Sequence, residues 1–424
     1  MSITERLYYQ DSHLLEFDAR VTGLNERDDG AVSVTLDRTA FYPAGGGQPA
    51  DTGTLGEARV VDCIDAEDAG VLHVIQGLAP EIGDTVHGKV DWLRRLDHIQ
   101  QHTGQHILSA AFVKLFDAPT RSFRVLEHEC EIDVALDDPT DERIEQAVDL
   151  ANQVIWEDRS VEIRQVTSAE AASLPLRKEP AREGELRLIE IEDFDLTPCG
   201  GTHAKSAGEV GVIAVRSWER AKGLTRIQFM AGIRGLADYR KANGTARGVA
   251  ALFSAGRDDS PALVARLVEE NKKLARRVRE LEEVAGRVEA EELLRSEHSN
   301  AGSADVSSAL SAEREQLNTR VIARVFSDRD ADSLKYLALA LIAHPNVVAL
   351  LGSRDGETAR LVFARSADVP GDMNALIREA CKMIDGRGGG KPDLAQGGGR
   401  NVDKIDEAIA ETSRSLALGL SSSN

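Results

Sequence analysis

Cysteine is the first scarcity in this 424-residue chain. Cys63, Cys130, Cys199 and Cys381 lie far apart with no CxxC pair, which excludes a disulfide scaffold and fits a reducing, cytoplasmic setting. Long apolar runs are also missing. The best candidate, Tyr336 to Leu351, is too short to span a bilayer and is broken by His344-Pro345, so no membrane span is expected. The N-terminus, Met1-Ser2-Ile3-Thr4-Glu5-Arg6, lacks the apolar core of a signal peptide. Basic residues are outnumbered, 51 against 71 acidic, for a net charge of −20. That disfavours indiscriminate binding to polyanions but leaves room for a local basic patch. Aromatics make up only 4%, whereas glycine is plentiful at 36 residues, so glycine-built loops are expected.

At roughly 150 residues per domain the length suggests about three domains. Residues 1–90 read as short alternating strands, with a turn at Asp28-Asp29-Gly30, and predict a small β-barrel. From Trp92 to Phe116 the pattern turns helical, keeping Leu93, Leu96, Ile99, Thr103 and Ile107 on one face. Segment 130–200 alternates strands and helices, with Thr140 or Asp141 as a cap and Thr167-x-x-Glu170 as a capping box. Residues 126–149 carry ten acids and one arginine, the pattern of a solvated face. Residues 261–294 predict one long helix with a heptad seam: Val264, Asn271, Val278 and Ala285 at one position, Leu267, Leu274, Leu281 and Val288 at the other. Such a seam suits either an intramolecular hairpin or a homodimer, the latter through this helix and/or the C-terminal domain, with Asn271 fixing register. A linker follows at 299–304, and about 305–424 reads as a β-α-β-β-α domain. The expected fold is therefore α/β (α+β). A barrel with a glycine flap spans 1–90, a second α+β domain 91–235, a helical segment 236–300, and an α/β domain 305–424.

Chemistry concentrates in two histidine motifs. His102-Thr103-Gly104-Gln105-His106 puts two imidazoles one helical turn apart. Far downstream, Cys199-Gly200-Gly201-Thr202-His203 lets two glycines bend the chain so that both flanking side chains face one point. Three imidazoles and a thiolate can complete a tetrahedral zinc shell, so His102, His106, Cys199 and His203 are expected to hold one zinc ion. His98 would overfill that shell and is read as a supporting or surface residue. Upstream, Phe41-Tyr42-Pro43-Ala44-Gly45-Gly46-Gly47-Gln48-Pro49 is a glycine loop stiffened by prolines, and reads as a shaped flap.

These motifs, FYPAGGGQPADTG, HTGQH and CGGTH in this order, resemble the editing half of alanyl-tRNA synthetase and its free-standing AlaX relatives. The segment Gly386-Arg387-Gly388-Gly389-Gly390-Lys391 through Gly399 is similar to their C-terminal DHH-associated domain. The chain begins at the barrel, and the resemblance is to the long form of AlaX. It implies a zinc-dependent enzyme that hydrolyses the ester of tRNA(Ala) mischarged with serine or glycine, with tRNA(Ala) as partner. Zinc would activate water or anchor the substrate's amino group, with His203 the candidate for a labile ligand. Gln48, with Gly46 and Gly47, and Ser122 beyond the helix are the expected catalytic and selectivity residues. Thr103 and Gln105 are read as pointing about 100° from the metal face. Segment Thr120-Arg121-Ser122-Phe123 departs from the Gly-Ser turn common in the family.

For tRNA, residues 216–247 hold eight basic side chains against Glu219 and Asp238. Arg216, Lys222, Arg226 and Arg234, together with Lys391, are the expected contacts. Two other functions compete with this one: a nonenzymatic RNA-binding protein with a structural zinc, and a zinc hydrolase of small molecules.

Overall fold

The computed structural model describes residues 4–26, 31–67, 70–180, 184–301 and 319–421, so the expected turn at Asp28-Asp29-Gly30 lies outside the described residues. The architecture is mixed α/β, and the chain divides into two compact units, Met1–Asp258 and Asp259–Asn424.

The first unit opens with a short parallel pairing of β1 (Glu5–Arg6) and β4 (Arg38–Thr39). Then β2 (Glu16–Glu26), β3 (Val32–Leu36), β5 (Gly53–Leu55), β6 (Ala58–Asp65), β7 (Val71–Gln76) and β8 (Thr85–Val90) close a barrel in the order β2-β3-β7-β6-β5-β8. Strand alternation explains it: Phe17, Ala19 and Val21 point inward from β2 and meet Val34, Leu36, Leu55, Val60 and Val86. His73 is buried among them, its Nε2 2.7 Å from Thr39 Oγ1 and its Nδ1 3.0 Å from Val34 O.

Helix α1 (Trp92–Phe116) follows. Asp91 caps it by accepting from the Leu93 and Arg94 amides, and Asp117 ends it in the left-handed conformation. The expected single apolar face is too simple. From His98 to Phe112 every side chain is buried, polar ones included, while Leu93 is exposed. The helix is enclosed because the barrel grips one end of it. Arg95 and Asp51, both fully buried, form an ion pair there, and Arg95 also donates to Ser12 O and Ala40 O. Removing one partner of such a pair costs about 3–5 kcal/mol.

Around α1 stand α2 (Asp141–Trp156) and the antiparallel sheet β14-β15-β10-β9, formed by β9 (Thr120–Val125), β10 (Cys130–Val134), β14 (Ile213–Ala221) and β15 (Leu224–Ala231). A three-stranded sheet of β11 (Val161–Thr167), β12 (Glu185–Ile191) and β13 (Asp195–Pro198) carries the second ligand motif at its end. Thr140 caps α2, and Thr167 with Glu170 forms the capping box that opens α3 (Ser168–Ala171). Helix α4 (Gly232–Ala251) closes this unit.

The second unit begins with α5 (Ser260–Ala301), so the expected helical segment 236–300 lies across the boundary. The helix runs past Ser299, where the linker was expected to begin. Its seam residues Val264, Leu267, Leu274, Val278, Leu281 and Val288 are exposed, while Ala290 and Leu294 pack on Leu334, Leu337 and Leu341 of the helix Ala331–Ile342. β16 (Arg320–Ser327), β17 (Val347–Asp355), β18 (Thr358–Arg365), β19 (Gly386–Gly390) and β20 (Leu394–Gly399) form one sheet in the order β16-β17-β18-β20-β19. With the helix Ala331–Ile342 after the first strand, the first three strands follow the expected β-α-β-β order. The glycine signature forms an antiparallel hairpin at the sheet edge.

Candidate metal centre

Local structure accounts for each ligand. On α1 the i, i+4 spacing stacks His102 and His106, with ring centroids 5.3 Å apart. Just past β13 the chain turns back through Gly200 and Gly201, and Cys199 and His203 face those rings. Gly201 lies so close to the His102 ring that a Cβ would collide with it. The four donor atoms of His102, His106, Cys199 and His203 lie within 4.8 Å of one another. Cys199 Sγ is 3.3 Å from both His102 Nε2 and His203 Nε2. A tetrahedron with bonds of about 2.0–2.3 Å has edges of about 3.3–3.7 Å. Two of the separations match such edges, so the donor set could hold one metal ion, of the kind that imidazole and thiolate ligands suit.

A polar side chain stands behind each imidazole, hydrogen-bonded to His102 and His203 and at ion-pair distance without a hydrogen bond for His106. His102 Nδ1 is 2.8 Å from Gln48 Oε1, His203 Nδ1 is 3.2 Å from Thr103 Oγ1, and His106 Nδ1 is 3.4 Å from Asp195 Oδ2. With Nδ1–H turned to a protein oxygen, Nε2 keeps its lone pair for a metal. Asp195 is itself fixed by Arg177, at 2.6 and 3.0 Å, and by the Thr197 hydroxyl. Burial works against its charge, yet His106 and Arg177 prevail and hold the carboxyl below its usual range. Burial likewise opposes a Cys199 thiolate, but the three surrounding imidazoles hold the thiol well below its ordinary value.

The structure places the other expected site residues as follows. Gln48 is buried, and its amide is already engaged: Oε1 faces His102 and accepts from Thr202 N at 3.2 Å, and Nε2 donates to Thr202 Oγ1 at 2.9 Å. Both amide atoms are thus engaged with His102 and Thr202. Gly46 and Gly47 have positive φ, 57° and 83°, and a Cβ on Gly47 would strike the Phe123 carbonyl. Together they let the loop turn under α1. Ser122 is exposed and donates to Asp133 Oδ2 at 2.6 Å. Strand alternation turns its neighbour Phe123 inward instead, with its ring 5.3 Å from His102. Thr103 is in contact with His203, although Gln105 does turn away, to Ser109. His98 is buried, not on the surface, with its Nδ1 unpartnered. The roles of Thr103 and Asp195 were missed, because their contacts come from distant parts of the chain.

Three of the eight residues of the expected basic patch are paired with acids within the first unit. Arg226 forks onto Asp133 at 2.8 and 3.1 Å, Arg234 onto Asp97 at 2.7 Å twice, and Arg216 lies 3.5 Å from Glu129. The acidic run expected to be a solvated face supplies two of these partners, Asp133 and Glu129, because β10 pairs with β15. Lys222, at the β14–β15 turn, forms no ion pair among the described residues. Lys391 lies in the second unit, in the turn between β19 and β20.

Beside the cluster opens a cleft of about 570 Å³, reached by His102, Cys199, Gly200 and Gly201 and walled by Tyr9, Tyr42 and Arg187. Among the described residues no helix is long and apolar enough to cross a membrane.

Comparison with known proteins gives three family matches. The threonyl and alanyl tRNA synthetase second additional domain matches residues 186–228, the DHHA1 domain 318–417, and the class II (A) tRNA synthetases 4–94. The chain is 33% identical over 404 residues to the alanyl-tRNA editing protein AlaX-L of Pyrococcus horikoshii, covering 93% of this chain and 94% of that one. It is 31% identical to the alanine–tRNA ligase of Methanosarcina barkeri and 32% to that of Natronomonas pharaonis, over 96% of this chain. It spans only 44% and 43% of those two ligases.

Proposed function

We propose, on the premise that this chain belongs to the AlaX-L family of alanyl-tRNA editing proteins, that it is a deacylase acting on tRNA(Ala) carrying the wrong amino acid, serine or glycine. The observation that carries the reading is the three-histidine, one-cysteine cluster, with His102 and His203 hydrogen-bonded at Nδ1 and Asp195 at ion-pair distance from His106, opening on a cleft beside it. The reaction breaks the ester between the amino-acid carboxyl and a terminal ribose hydroxyl, and water takes up the acyl group.

His102, His106, Cys199 and His203 would hold one zinc ion, which when bound supplies a positive centre able to polarise water or to anchor the amino group of the substrate. The protein's own contribution is rigidity. Gln48, Thr103 and Asp195 set the ring orientations in advance, so no reorganisation is needed when substrate enters. His102 and Cys199 face the cleft and bring the cluster to its floor.

We also propose tRNA(Ala) as partner, in the cytoplasm, where the four free cysteines stay reduced. The exposed seam of α5 is proposed to pair with a second copy of the chain. A parallel, in-register pairing would set Asn271 against Asn271 and bring Arg277 to Glu282 of the partner copy, so seam and flanking charges agree.

The four-donor set also favours a second reading, a nonenzymatic RNA-binding protein with a closed structural zinc site. The test for both is metal content together with hydrolysis of Ser-tRNA(Ala) by purified protein and by Cys199→Ala. The proposal expects one zinc per chain and hydrolysis, both lowered in the variant. Bound zinc with no hydrolysis favours the second reading.

A further inference from the structure

Arg187 is a cation with no carboxylate partner among the described residues. Its Nε donates to Tyr9 O at 3.0 Å, and its Nη1 donates to Cys199 O at 2.7 Å and Gly201 O at 3.0 Å. Its Nη2 is buried with no hydrogen-bond partner, and no carboxylate reaches the guanidinium at ion-pair distance among the described residues. Arginine in a partly desolvated place normally has an anion opposite it, because burying unpaired charge is costly. Here three backbone carbonyls fix the fork and leave one nitrogen unused.

The unused nitrogen has a neighbour in the same condition. Tyr8 is fully buried, and its hydroxyl also lacks a partner. Both residues line the cleft into which His102 and Cys199 open. Arg6, on the same wall, is already committed to Asp65 at 2.7 and 2.8 Å. Tyr9 completes the wall, with the Arg187 guanidinium 5.4 Å and the Arg6 guanidinium 5.6 Å from its ring centre. Tyrosine and arginine planes are the surfaces on which unpaired bases stack. A cleft of about 570 Å³ falls within the roughly 300–1,000 Å³ range of small-molecule sites.

We propose that Arg187, with the Tyr8 hydroxyl, forms an anion subsite for the phosphate of a nucleotide lying in this cleft. The naming of its natural occupant as the last phosphodiester of a tRNA 3′ end rests on the deacylase reading. The guanidinium fork matches the oxygens of a phosphate. Occupation of the subsite would fix the terminal nucleotide beside the metal cluster, and Arg187 would act on the reaction by positioning.

The test uses the zinc-loaded full chain and two probes, 5′-AMP and adenosine, which differ only in the phosphate, with affinities read by calorimetry. The expected result is that 5′-AMP binds at least ten-fold more tightly than adenosine. In Arg187→Gln the gap closes while adenosine affinity stays the same. Because Arg187 also holds the Cys199 and Gly201 carbonyls, zinc content is measured alongside. Tyr8→Phe removes a hydroxyl that makes no hydrogen bond, and should weaken 5′-AMP several-fold with zinc intact. Equal affinities in the unaltered protein, or a gap that survives Arg187→Gln, would overturn the subsite. Hydrolysis of Ser-tRNA(Ala) by a protein that binds both probes alike sinks the subsite alone. A preference for 5′-AMP in a protein inert toward mischarged tRNA supports the subsite and removes the deacylase reading.

Discussion

Gln48 Oε1 stands 2.8 Å from His102 Nδ1, so a loop of the N-terminal barrel sets the ring angle of a ligand carried by α1. The same amide is tied to Thr202, between the glycines and His203 of the second ligand motif. One side chain therefore spans both halves of the metal cluster. Gln48→Ala should weaken zinc binding about 10–100-fold, the usual effect of losing a group that orients a metal-bound histidine. Competition with a chelator measures it. Unchanged zinc affinity with slowed hydrolysis of Ser-tRNA(Ala) but not Gly-tRNA(Ala) would return Gln48 to the role of a hydroxyl reader.

His73 makes a prediction about acid. It is fully buried in the barrel, and desolvation pushes its pKa down from 6.5 to about 4 despite the Val34 carbonyl. The unfolded chain binds the proton more readily, so stability is complete above pH 6.5 and falls as the pH drops toward 4. The loss is at most about 3 kcal/mol from this group. NMR of the ring carbons should show His73 neutral down to about pH 4. A midpoint near 6.5 would show that it is open to solvent.

How much of this was legible in the sequence depended on distance along the chain. The barrel followed from alternation in segments such as Phe17-Asp18-Ala19-Arg20-Val21, because a half-buried strand writes its two faces into period two. The ligand pairs were also local, one turn of helix and one tight glycine bend, and the structure brings all four donors together. What was not legible needed long-range contacts. Asp195 reaches His106, and Asp133 neutralises Arg226, only because particular strands lie side by side. The hairpin at Gly386–Gly399 was hidden for another reason. Glycine has little intrinsic preference for strands, so no local signal marked it.

The ion pair between Arg226 and Asp133 redirects the docking prediction. Arg226→Glu should lower the unfolding midpoint, since it sets a carboxylate against Asp133 and nearby Glu131, rather than act on tRNA directly. Lys222→Glu, at an exposed turn tip, should weaken tRNA binding and reduce the slope of log affinity against log salt by about one. A salt titration of binding for both variants decides it. An unaltered slope in Lys222→Glu would remove that turn from the interface.

The seam of α5 predicts self-association. Leu274 is 66% exposed in the single chain, a high value for a leucine in the middle of a heptad pattern. Leu274→Lys should halve the mass measured by light scattering while leaving zinc content unchanged. A monomeric unaltered protein would contradict the pairing.

The proposed site deacylates mischarged tRNA(Ala) and spares the correctly charged one. The most direct measurement is kcat/KM of the zinc-loaded protein on Ser-tRNA(Ala), Gly-tRNA(Ala) and Ala-tRNA(Ala), compared in one assay. Rapid release of serine is predicted, with alanine released at least ten-fold more slowly, the scale of a hydrogen bond to the serine hydroxyl that alanine cannot form. Glycine lacks that hydroxyl too, so its faster release would have to come from steric exclusion of the alanine methyl. Equal release of all three, or release of none by protein carrying its zinc, would contradict it.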